Sequence, residues 1–245
     1  MKNIIIAGAA GSLGQYLQRR YLENNFNIIS VSRKKNNQSK IKNLYTFNED
    51  LSNKKNTIRF YKKINKKFRK IDFIISCVGK SNFKKLKSRA SYDEWSIAIK
   101  DNLIANVNLV ESYIEIFKKK SKNTKIILIS SIAGVTPILA PISYSTSKSA
   151  LIFYTKLMAN KLARNNININ CISPGNILIK DNLWDKKMKL SRKKTLNYIK
   201  QNVPLNDFCR PEQIKTLCDY LFSPAGKFIT GANFIVDGGQ TINEK

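Results

Sequence analysis

A tyrosine and a lysine four residues apart, Tyr144 and Lys148, are the residues whose types and spacing are best suited to chemistry. On a helix this spacing places both side chains on one face, one turn apart. An ammonium that close to a phenol favours the phenolate, so the tyrosine could act as an acid or base below its usual pKa of about 10. Ser131, at the end of the preceding apolar run, could hydrogen-bond the same substrate oxygen. We expect these three residues to form an acid–base site.

The composition excludes several other kinds of site. The chain contains no histidine, and its four cysteines form no Cys-x-x-Cys pair. Ser-His-Asp catalysis, Cys-His catalysis and histidine-containing metal sites are therefore excluded. Scattered cysteines predict neither disulfides nor zinc sites. Acid–base chemistry must come from tyrosine, lysine or a carboxylate, and we expect no metal.

The chain is strongly basic, with 44 Lys and Arg against 16 Asp and Glu and a net charge of +28. Such a charge attracts anionic partners such as nucleic acids, membrane surfaces or phosphorylated substrates. The lysines are spread over many predicted surface helices, so compositional bias explains them better than nucleic-acid binding, and an anionic substrate stays open. No apolar run approaches the roughly 20 residues that span a bilayer. We expect a soluble, cytoplasmic protein that does not bind membranes.

A glycine-rich turn follows the first predicted strand, Asn3–Ala7, and precedes a helix predicted from about Ser12 to Asn25. In this arrangement Gly8 permits the tight turn, Gly11 lets backbone approach a pyrophosphate, and Gly14 lets the helix pack on the strand. An ordinary turn is the less favoured alternative, because three glycines fall between a first strand and a first helix. The cofactor-binding positions predicted in this turn are Gly8, Gly11, Ser12, Leu13 and Gly14.

The end of the second predicted strand, Asn27–Ser32, indicates which dinucleotide is bound. Proteins that prefer NAD carry an Asp or Glu there for the ribose hydroxyls. This chain has Arg33 and Lys34 instead, and a guanidinium pairs well with a 2′-phosphate. The sequence therefore favours NADP(H), with NAD(H) as the alternative.

Strands and helices alternate along the whole chain. The predicted strands are Asn3–Ala7, Asn27–Ser32, Leu44–Phe47, Asp72–Ser76, Lys125–Ile129, Asn168–Ile172 and Asn233–Val236. The later helices are predicted over about Asn53–Arg69, Ser91–Lys119, the Tyr144 segment to about Asn165, and Pro211–Phe222. This pattern predicts one α/β domain over residues 1–245, a Rossmann-type doubly wound parallel sheet of about seven strands flanked by helices.

Two further segments carry expectations of their own. The polar stretch around 176–202 is long for a connection and follows a strand end, where ligands bind in parallel sheets. We expect it to be a substrate-covering lid with a helical part. The helix that carries Tyr144 and Lys148 is apolar around its circumference from Ser147 to Leu162, which indicates contacts between subunits.

Several short motifs occur in the order and at the distances of a known family. They are the AGAAGSLG turn, Asp50-Leu51, Asn102-Leu103, ISSIAG, YSTSK, Ser173-Pro174-Gly175, RPEQI and FITGANFIVDGG. On these motifs the whole chain resembles the short-chain dehydrogenase/reductases. The resemblance is strongest to the single-domain branch that contains 3-oxoacyl-[acyl carrier protein] reductase, and it implies a homodimer or homotetramer.

The resemblance implies roles for four catalytic residues. Tyr144 would give or take the proton of a substrate carbonyl or alcohol, and Lys148 would lower the pKa of Tyr144 and hold the nicotinamide ribose. Ser131 would orient the substrate oxygen. Asn102 would sustain a water-linked proton path by bending its helix. Hydride would pass between the nicotinamide and the substrate carbon.

The resemblance also implies contacts to the dinucleotide. Asp50 would contact the adenine, and backbone around Ile177 would hold the nicotinamide carboxamide. The cofactor-binding residues implied beyond the glycine turn and the Arg33-Lys34 pair are Asp50, Leu51, Cys77, Gly79, Tyr144, Lys148, Pro174, Gly175 and Ile177. Where the family has an Asn-Ala-Gly triplet, this chain has Cys77-Val78-Gly79. A thiol cannot replace the hydrogen bonds of an amide, so this wall of the site must rely on other contacts.

These inferences predict an NADP(H)-dependent oxidoreductase that interconverts a small-molecule carbonyl and a secondary alcohol. The substrate favoured by the resemblance of the segments after Pro174 and Val236 is a sugar or nucleotide sugar of polysaccharide biosynthesis. The first alternative is a 3-oxoacyl-[acyl carrier protein] reductase of fatty acid synthesis. The alternative from another class is a non-catalytic dinucleotide-binding protein.

Overall fold

A single parallel sheet of seven strands forms the centre of the computed structural model, which describes residues 1–34, 41–80, 89–117 and 123–243. The strands are β1 (Asn3–Ala7), β2 (Asn27–Ser32), β3 (Leu44–Asn48), β4 (Phe73–Ser76), β5 (Lys125–Ile129), β6 (Asn168–Pro174) and β7 (Asn233–Val236). They lie in the order β3-β2-β1-β4-β5-β6-β7, which confirms the predicted doubly wound fold.

Eight α-helices connect and cover these strands in the described ranges. They are α1 (Ser12–Glu23), α2 (Lys54–Lys67), α3 (Tyr92–Ile99), α4 (Ala105–Phe117), α5 (Ile142–Ala163), α6 (Leu183–Leu190), α7 (Arg192–Asn202) and α8 (Pro211–Phe222). A π-helical segment, Lys100–Ile104, lies between α3 and α4. Short 3-10 turns occupy Ile132–Gly134, Pro224–Phe228 and Gln240–Ile242.

The strands are apolar along their length because both faces of the sheet are covered. Successive side chains of β1 point to opposite faces, so Ile5 joins one buried cluster and Ile4 joins the other. The first cluster includes Leu109 of α4 and Leu151 of α5. The second includes Leu17 of α1. The core is therefore two apolar layers separated by the sheet.

The chain reverses its direction of winding at β1, which pairs with β2 on one side and β4 on the other. At such a switch point the connections leave the sheet in opposite directions and open a crevice beyond the carboxyl ends of the strands. Many of the residues that the sequence marks for function follow the carboxyl ends of β1 to β6.

Several predicted bounds are confirmed, and one long helix is not. The bounds of β1, β2, β5, β7 and α8 are those predicted. The helix predicted as continuous over Ser91–Lys119 is interrupted by the π-helical segment, and residues 118 and 119 lie outside the described ranges. The interruption lies where the Asn102 side chain bonds backbone of the preceding loop.

Other bounds differ by a few residues. Strand β4 begins at Phe73 rather than Asp72, and β6 continues to Pro174. Helix α1 ends at Glu23 because Asn25 takes a left-handed conformation with φ of 58°. Helix α2 ends at Lys67 because Phe68 is extended.

The predicted lid segment, 176–202, contains α6 and α7. Beneath these helices Ile199, Val203 and Phe208 form a small buried cluster. The Trp184 ring of α6 lies 5.2 Å from the Tyr198 ring of α7, measured between centroids. The segment therefore has its own apolar core. Within the described ranges, no helix combines the length and the apolar character needed to cross a bilayer.

Candidate active site

Ser131, Tyr144 and Lys148 lie together at the carboxyl edge of β5. Ser131 is the second residue after that strand, and α5 begins at Ile142 so that Tyr144 and Lys148 occupy its first two turns. The side chains of Ser131 and Tyr144 hydrogen-bond each other. The Lys148 Nζ lies 5.9 Å from the centroid of the Tyr144 ring and donates to the Ile129 carbonyl oxygen at 3.0 Å. The structure therefore brings the predicted trio together.

Burial dominates the protonation of this pair. It raises the pKa of Tyr144, against the hydrogen bond from Ser131, which lowers it. It also lowers the pKa of Lys148 to about 8, against the nearby Cys171 and Cys77 thiols. The predicted lowering of the Tyr144 pKa by Lys148 is therefore not seen among the protein groups, because both groups are buried and the ammonium is directed at a carbonyl. Tyr144 is a phenol at neutral pH.

Asn102 lies in the π-helical segment and is wholly buried. Its Oδ1 accepts from the Lys80 N–H at 2.7 Å, and its Nδ2 donates to the Ser147 hydroxyl at 3.0 Å. Ser147 in turn donates to the Tyr144 carbonyl oxygen at 2.7 Å. Asn102 thus links the loop after β4 to the catalytic turn of α5. The helix is distorted at this point by a π-helical turn. A distortion at Asn102 agrees with the bend that the resemblance implies there.

The glycine turn connects β1 to α1. Gly8 has φ of +73°, and an added Cβ would lie 2.7 Å from the Cys77 carbonyl carbon. An added Cβ at Gly14 would lie 2.5 Å from the Gly8 oxygen, so Gly14 is required for close packing. At Gly11 a Cβ would meet only the Gly8 oxygen, at 3.3 Å. Gly11 is therefore not needed for packing, which fits its predicted role beside a pyrophosphate.

Gly11 also caps the N-terminus of α1, with no side-chain hydrogen bond to the first turn, which Ser12 and Leu13 begin. The first turn of α1 contains no acidic residue. The N–H groups at a helix N-terminus, together with the helix dipole, favour an anion. This end of α1 can therefore bind a phosphate.

Arg33 follows β2 and forms a bidentate ion pair with Asp101 of the π-helical segment. The two N–O distances are 3.0 and 3.1 Å. The Asp101 side chain is 9% exposed and that of Arg33 is 56% exposed. The backbone carbonyl of Lys34 accepts from the Ser32 hydroxyl at 2.8 Å, while its side chain is exposed. Asp101 thus fixes the guanidinium at the predicted adenosine end of the crevice.

Asp50 and Leu51 follow β3 and contribute in different ways. Burial opposes ionisation of Asp50, but hydrogen bonds from the Ser52 N–H and hydroxyl, at 3.0 and 2.7 Å, lower its pKa. Asp50 is therefore a carboxylate. The Leu51 side chain is 4% exposed and belongs to the core, and its carbonyl accepts from Asn108 at 2.9 Å. The side chain of Leu51 is therefore not available to a cofactor.

Cys77 and Gly79 form the wall after β4. Burial raises the pKa of Cys77 to about 12, so the thiol is neutral despite the nearby Lys148. An added Cβ at Gly79 would lie 2.9 Å from the Lys148 Nζ and 3.0 Å from the Asn102 Oδ1. Gly79 therefore allows these two side chains to reach the wall.

The residues after β6 form the opposite wall. The Gly175 N–H donates to the Val236 carbonyl oxygen at 2.9 Å. A Cβ at Gly175 would lie 2.9 Å from the Asp237 Cβ. Pro174, which pairs with Val236 in the sheet, and Gly175 are thus held against β7.

Ile177 bridges to Cys209 in the parallel sense. The two bonds of this bridge run from the Cys209 N–H to the Asn176 oxygen and from the Leu178 N–H to the Cys209 oxygen. Neither uses the Ile177 N–H. The Ile177 carbonyl accepts from the Asn182 Nδ2 at 2.6 Å. The backbone at Ile177 is fixed, as a contact to a nicotinamide carboxamide requires.

The described residues fit a dinucleotide. An ammonium has three donors, and among the described residues only the Ile129 carbonyl accepts from the buried Lys148 Nζ. A donor left buried without a partner is costly, and ribose hydroxyls would accept from it. Gly11 and the N-terminus of α1 provide a place for the phosphates at the same edge of the sheet.

Comparison with known proteins agrees with this geometry. A family model described as enoyl-(acyl carrier protein) reductase matches residues 8–241. The 3-oxoacyl-[acyl-carrier-protein] reductase FabG of Buchnera aphidicola subsp. Acyrthosiphon pisum is 30% identical over 240 residues, which are 96% of this chain and 95% of that protein. The chain belongs to the short-chain dehydrogenase/reductase family.

Two other relatives show the range of this family. Glucose 1-dehydrogenase 2 of Bacillus subtilis is 27% identical over 175 residues, or 71% of this chain and 66% of that protein. The structure of 4-hydroxyisoleucine dehydrogenase complexed with NADH is 28% identical with a TM-score of 0.86, and the match covers 100% of both chains. As a family member, the protein is an NAD(P)-binding oxidoreductase that acts on CH–OH groups. The non-catalytic alternative is therefore not supported.

Three residues that hold other side chains or backbone of this site in place were not predicted from the sequence. Asp101 pairs with Arg33, Ser147 links Asn102 to Tyr144, and Asn106 bonds the backbone of the β4 wall. Asn106 could have been found, because it lies four residues after Asn102 on one helical face. The partner of Asp101 is 68 residues away in sequence, and no local pattern indicates it.

The variants Gly11→Ala and Gly14→Ala distinguish an effect on dinucleotide binding from an effect on packing. Gly14→Ala places a methyl against the Gly8 oxygen and should lose about 1–3 kcal/mol of stability, as overpacking does. Gly11→Ala should unfold near the wild-type temperature but lose most of its affinity for NADPH. Thermal unfolding and calorimetric titration with NADPH measure both. Unchanged affinity in Gly11→Ala would contradict the placement of the phosphates.

Lys148→Met should stabilise the fold at neutral pH. The folded pKa near 8 lies below the ordinary value of 10.5, so between these values the unfolded state binds the additional proton. Wild-type stability therefore rises with pH across that window. The gain from methionine should be on the order of 3 kcal/mol below pH 8 and vanish above about pH 10.5.

Thermal unfolding from pH 6.5 to 10.5, without added dinucleotide, checks this. Lys156→Met, at an exposed lysine of the same helix, controls for the lost charge. A gain that is independent of pH would show that the buried ammonium is not its source.

Proposed function

We propose that the protein is an NADP(H)-dependent oxidoreductase that interconverts a carbonyl and a secondary alcohol, with Tyr144 as the acid and base. The observation that carries this proposal is the hydrogen bond between the Ser131 and Tyr144 hydroxyls, with the Lys148 ammonium buried beside them. The two hydroxyls lie close enough to bind one substrate oxygen, which accepts both O–H groups when it replaces the hydrogen bond between them. Membership of the family gives the reaction class, and the Tyr144 hydroxyl provides the proton.

The chemistry that the dinucleotide supplies when bound is hydride transfer. Tyr144 holds the proton that a reduced carbonyl oxygen needs, because burial keeps it a phenol at neutral pH. Ser131 donates to the same substrate oxygen and fixes its position. Lys148 is mostly protonated at neutral pH, since its pKa is about 8, and the ammonium donors that the Ile129 carbonyl does not accept bind the ribose hydroxyls of the dinucleotide. In the oxidative direction Tyr144 takes the proton from the alcohol.

The preference for NADP(H) rests on Arg33. Two of the five guanidinium donors bind Asp101, so three are left for a 2′-phosphate. The bidentate pair fixes the plane of the guanidinium, and a fixed donor loses less conformational entropy when a ligand binds. Lys34 adds a second cation beside it. The nearby carboxylates, Asp50 and Asp101, oppose a phosphate, so the preference depends on hydrogen bonds from Arg33.

Removing the Arg33–Asp101 ion pair tests the preference for NADP(H). The double variant Arg33→Ala/Asp101→Asn avoids leaving a buried carboxylate alone. It should weaken NADPH binding by about tenfold or more and NADH binding only slightly, because only NADPH carries the 2′-phosphate. Calorimetric titration with both dinucleotides measures the ratio. Arg19→Ala, at an exposed arginine of α1, controls for net charge, and equal weakening of both dinucleotides would contradict the NADP(H) preference.

The proposed substrate is a sugar or nucleotide sugar, and the similarity to a glucose 1-dehydrogenase supports it. A 3-oxoacyl thioester is the second candidate, and the similarity to 3-oxoacyl-[acyl-carrier-protein] reductases supports it over nearly the whole chain. The segment 176–202 is proposed as the lid over either substrate. Its cations are partly engaged, since Lys189 pairs with Asp185 at 2.7 Å and Lys187 lies over the Trp184 ring.

The proposal includes a homodimer or homotetramer. Helix α5 buries Leu151 and Leu162 in the core but leaves Phe153 62% exposed and Leu157 51% exposed. Large exposed apolar side chains on one helix support contact between subunits.

Turnover by wild type and Tyr144→Phe tests the proposed reaction. Oxidation of NADPH is followed with acetoacetyl thioesters and with oxidised nucleotide sugars. Tyr144→Phe should lose turnover by about a thousandfold or more, because general acid catalysis alone contributes 10²–10⁴-fold, and keep its fold and NADPH affinity. Full activity of Tyr144→Phe would contradict the mechanism. Failure of wild type on both substrate classes would contradict both proposed substrates.

A further inference from the structure

We propose that Asn106 is a positioning residue that supplies, from helix α4, the amide that the wall of the dinucleotide site lacks at Cys77-Val78-Gly79. The inference rests on the proposed placement of that wall beside the cofactor. The missing amide follows from the sequence, since a thiol stands where the family has asparagine.

Asn106 is wholly buried, and its amide bonds three separate pieces of the site. Its Oδ1 accepts from the Ser76 hydroxyl at 2.5 Å. Its Nδ2 donates to the Asn102 carbonyl oxygen at 2.8 Å and to the Val78 carbonyl oxygen at 3.4 Å. Both amide donors are therefore used. One side chain connects the end of β4, the wall that follows it and the π-helical segment.

The same contacts fix the backbone of Val78 on both sides of its Cα. Its carbonyl accepts from Asn106, and its N–H donates to the Ser76 hydroxyl at 3.4 Å. Ser76 is itself held by Asn106. Val78 lies between Cys77 and Gly79, the two wall residues predicted to face the dinucleotide. Asn106 therefore determines the position of backbone that the cofactor meets.

Packing does not explain an asparagine here. Its neighbours on α4, Ala105, Leu109 and Val110, are apolar and buried in the core, where a leucine or valine would be the ordinary choice. A buried amide costs free energy unless it is fully hydrogen-bonded. Its three partners are all parts of the site, so the amide serves the site rather than the core.

Asn106 also connects the wall to the proton-transfer residues. It holds the carbonyl of Asn102, whose side chain bonds Lys80 and Ser147. Ser147 bonds the Tyr144 carbonyl. A shift of Asn106 would thus disturb the cofactor wall and the catalytic turn of α5 together, and a loss of binding should accompany a loss of turnover.

The test moves the amide from the helix to the strand. Asn106→Ala should weaken binding of NADPH and NADH by about tenfold or more and lower kcat at saturating dinucleotide. Ser76→Asn/Asn106→Ala places an amide on β4, directed into the space that Asn106 vacates, and should recover most of the affinity. Calorimetric titration measures binding, thermal unfolding measures stability, and NADPH oxidation measures kcat.

Asn170→Ala is the matched control. Asn170 is a buried asparagine in the first half of β6, and its amide bonds the Ile229 carbonyl and the Ala232 N–H. It should lose stability while keeping dinucleotide affinity within about twofold of wild type. If Asn106→Ala loses stability in the same way with affinity unchanged, Asn106 is only structural. A double variant that binds no better than Asn106→Ala would also overturn the proposal.

Asn106→Ser keeps the test decisive if the alanine variant does not fold. A serine can still bond the carbonyl four residues earlier, so Asn102 stays supported while the Val78 contact is lost. Unchanged affinity in this variant would overturn the proposal. Binding is measured without a carbonyl substrate, so wild-type protein that binds dinucleotide without turnover would contradict the proposed reaction and leave this inference testable.

Discussion

Burial of the Lys148 ammonium is the constraint on which the loops around this site depend. A buried ammonium loses its hydrogen bonds to water. Here the Ile129 carbonyl oxygen replaces one of the water acceptors. The side chain reaches that position because Gly79 leaves room for its Nζ, and because Gly134 leaves room for its backbone. A Cβ at Gly134 would lie 2.6 Å from the Lys148 carbonyl carbon. The loops after β4 and β5 are thus shaped around one lysine, and its unfavourable burial is what leaves donors available for a ligand.

The five-residue π-helical segment connects the surroundings of Lys148 to other parts of the crevice. Asp101 points to the adenosine end and holds Arg33, while Asn102, one residue later, points to Lys80 and the catalytic helix. Asn106, at the start of α4, ties the segment to the end of β4. The π-helical segment, a feature that is frequent at functional sites, and the first turn of α4 thus carry three side chains that contact different parts of the crevice.

Much of the fold could be predicted because buried parallel strands appear as short apolar runs, and the ends of β1, β2, β5 and β7 follow directly from them. The Ser131, Tyr144 and Lys148 cluster could be predicted because strand ends and helical spacing place it. The π-helical interruption could not, since the apolar period from Ser91 onward continues through it. The direction in which the Tyr144 pKa shifts could not be predicted either, because it depends on burial by residues distant in sequence.

Two buried acidic residues of this basic chain, Glu49 and Asp101, are each paired with basic side chains. Glu49 is buried, and hydrogen bonds from Arg59 and Lys63 lower its pKa. Asp101 is similarly committed to Arg33. This neutral pair has a consequence for cofactor choice. The attraction of the Arg33 charge for a 2′-phosphate is largely offset by the carboxylate beside it, so the excess positive charge of the protein cannot decide between the dinucleotides at this point. Directional hydrogen bonds from a fixed guanidinium must do so, and their strength depends on geometry more than on net charge.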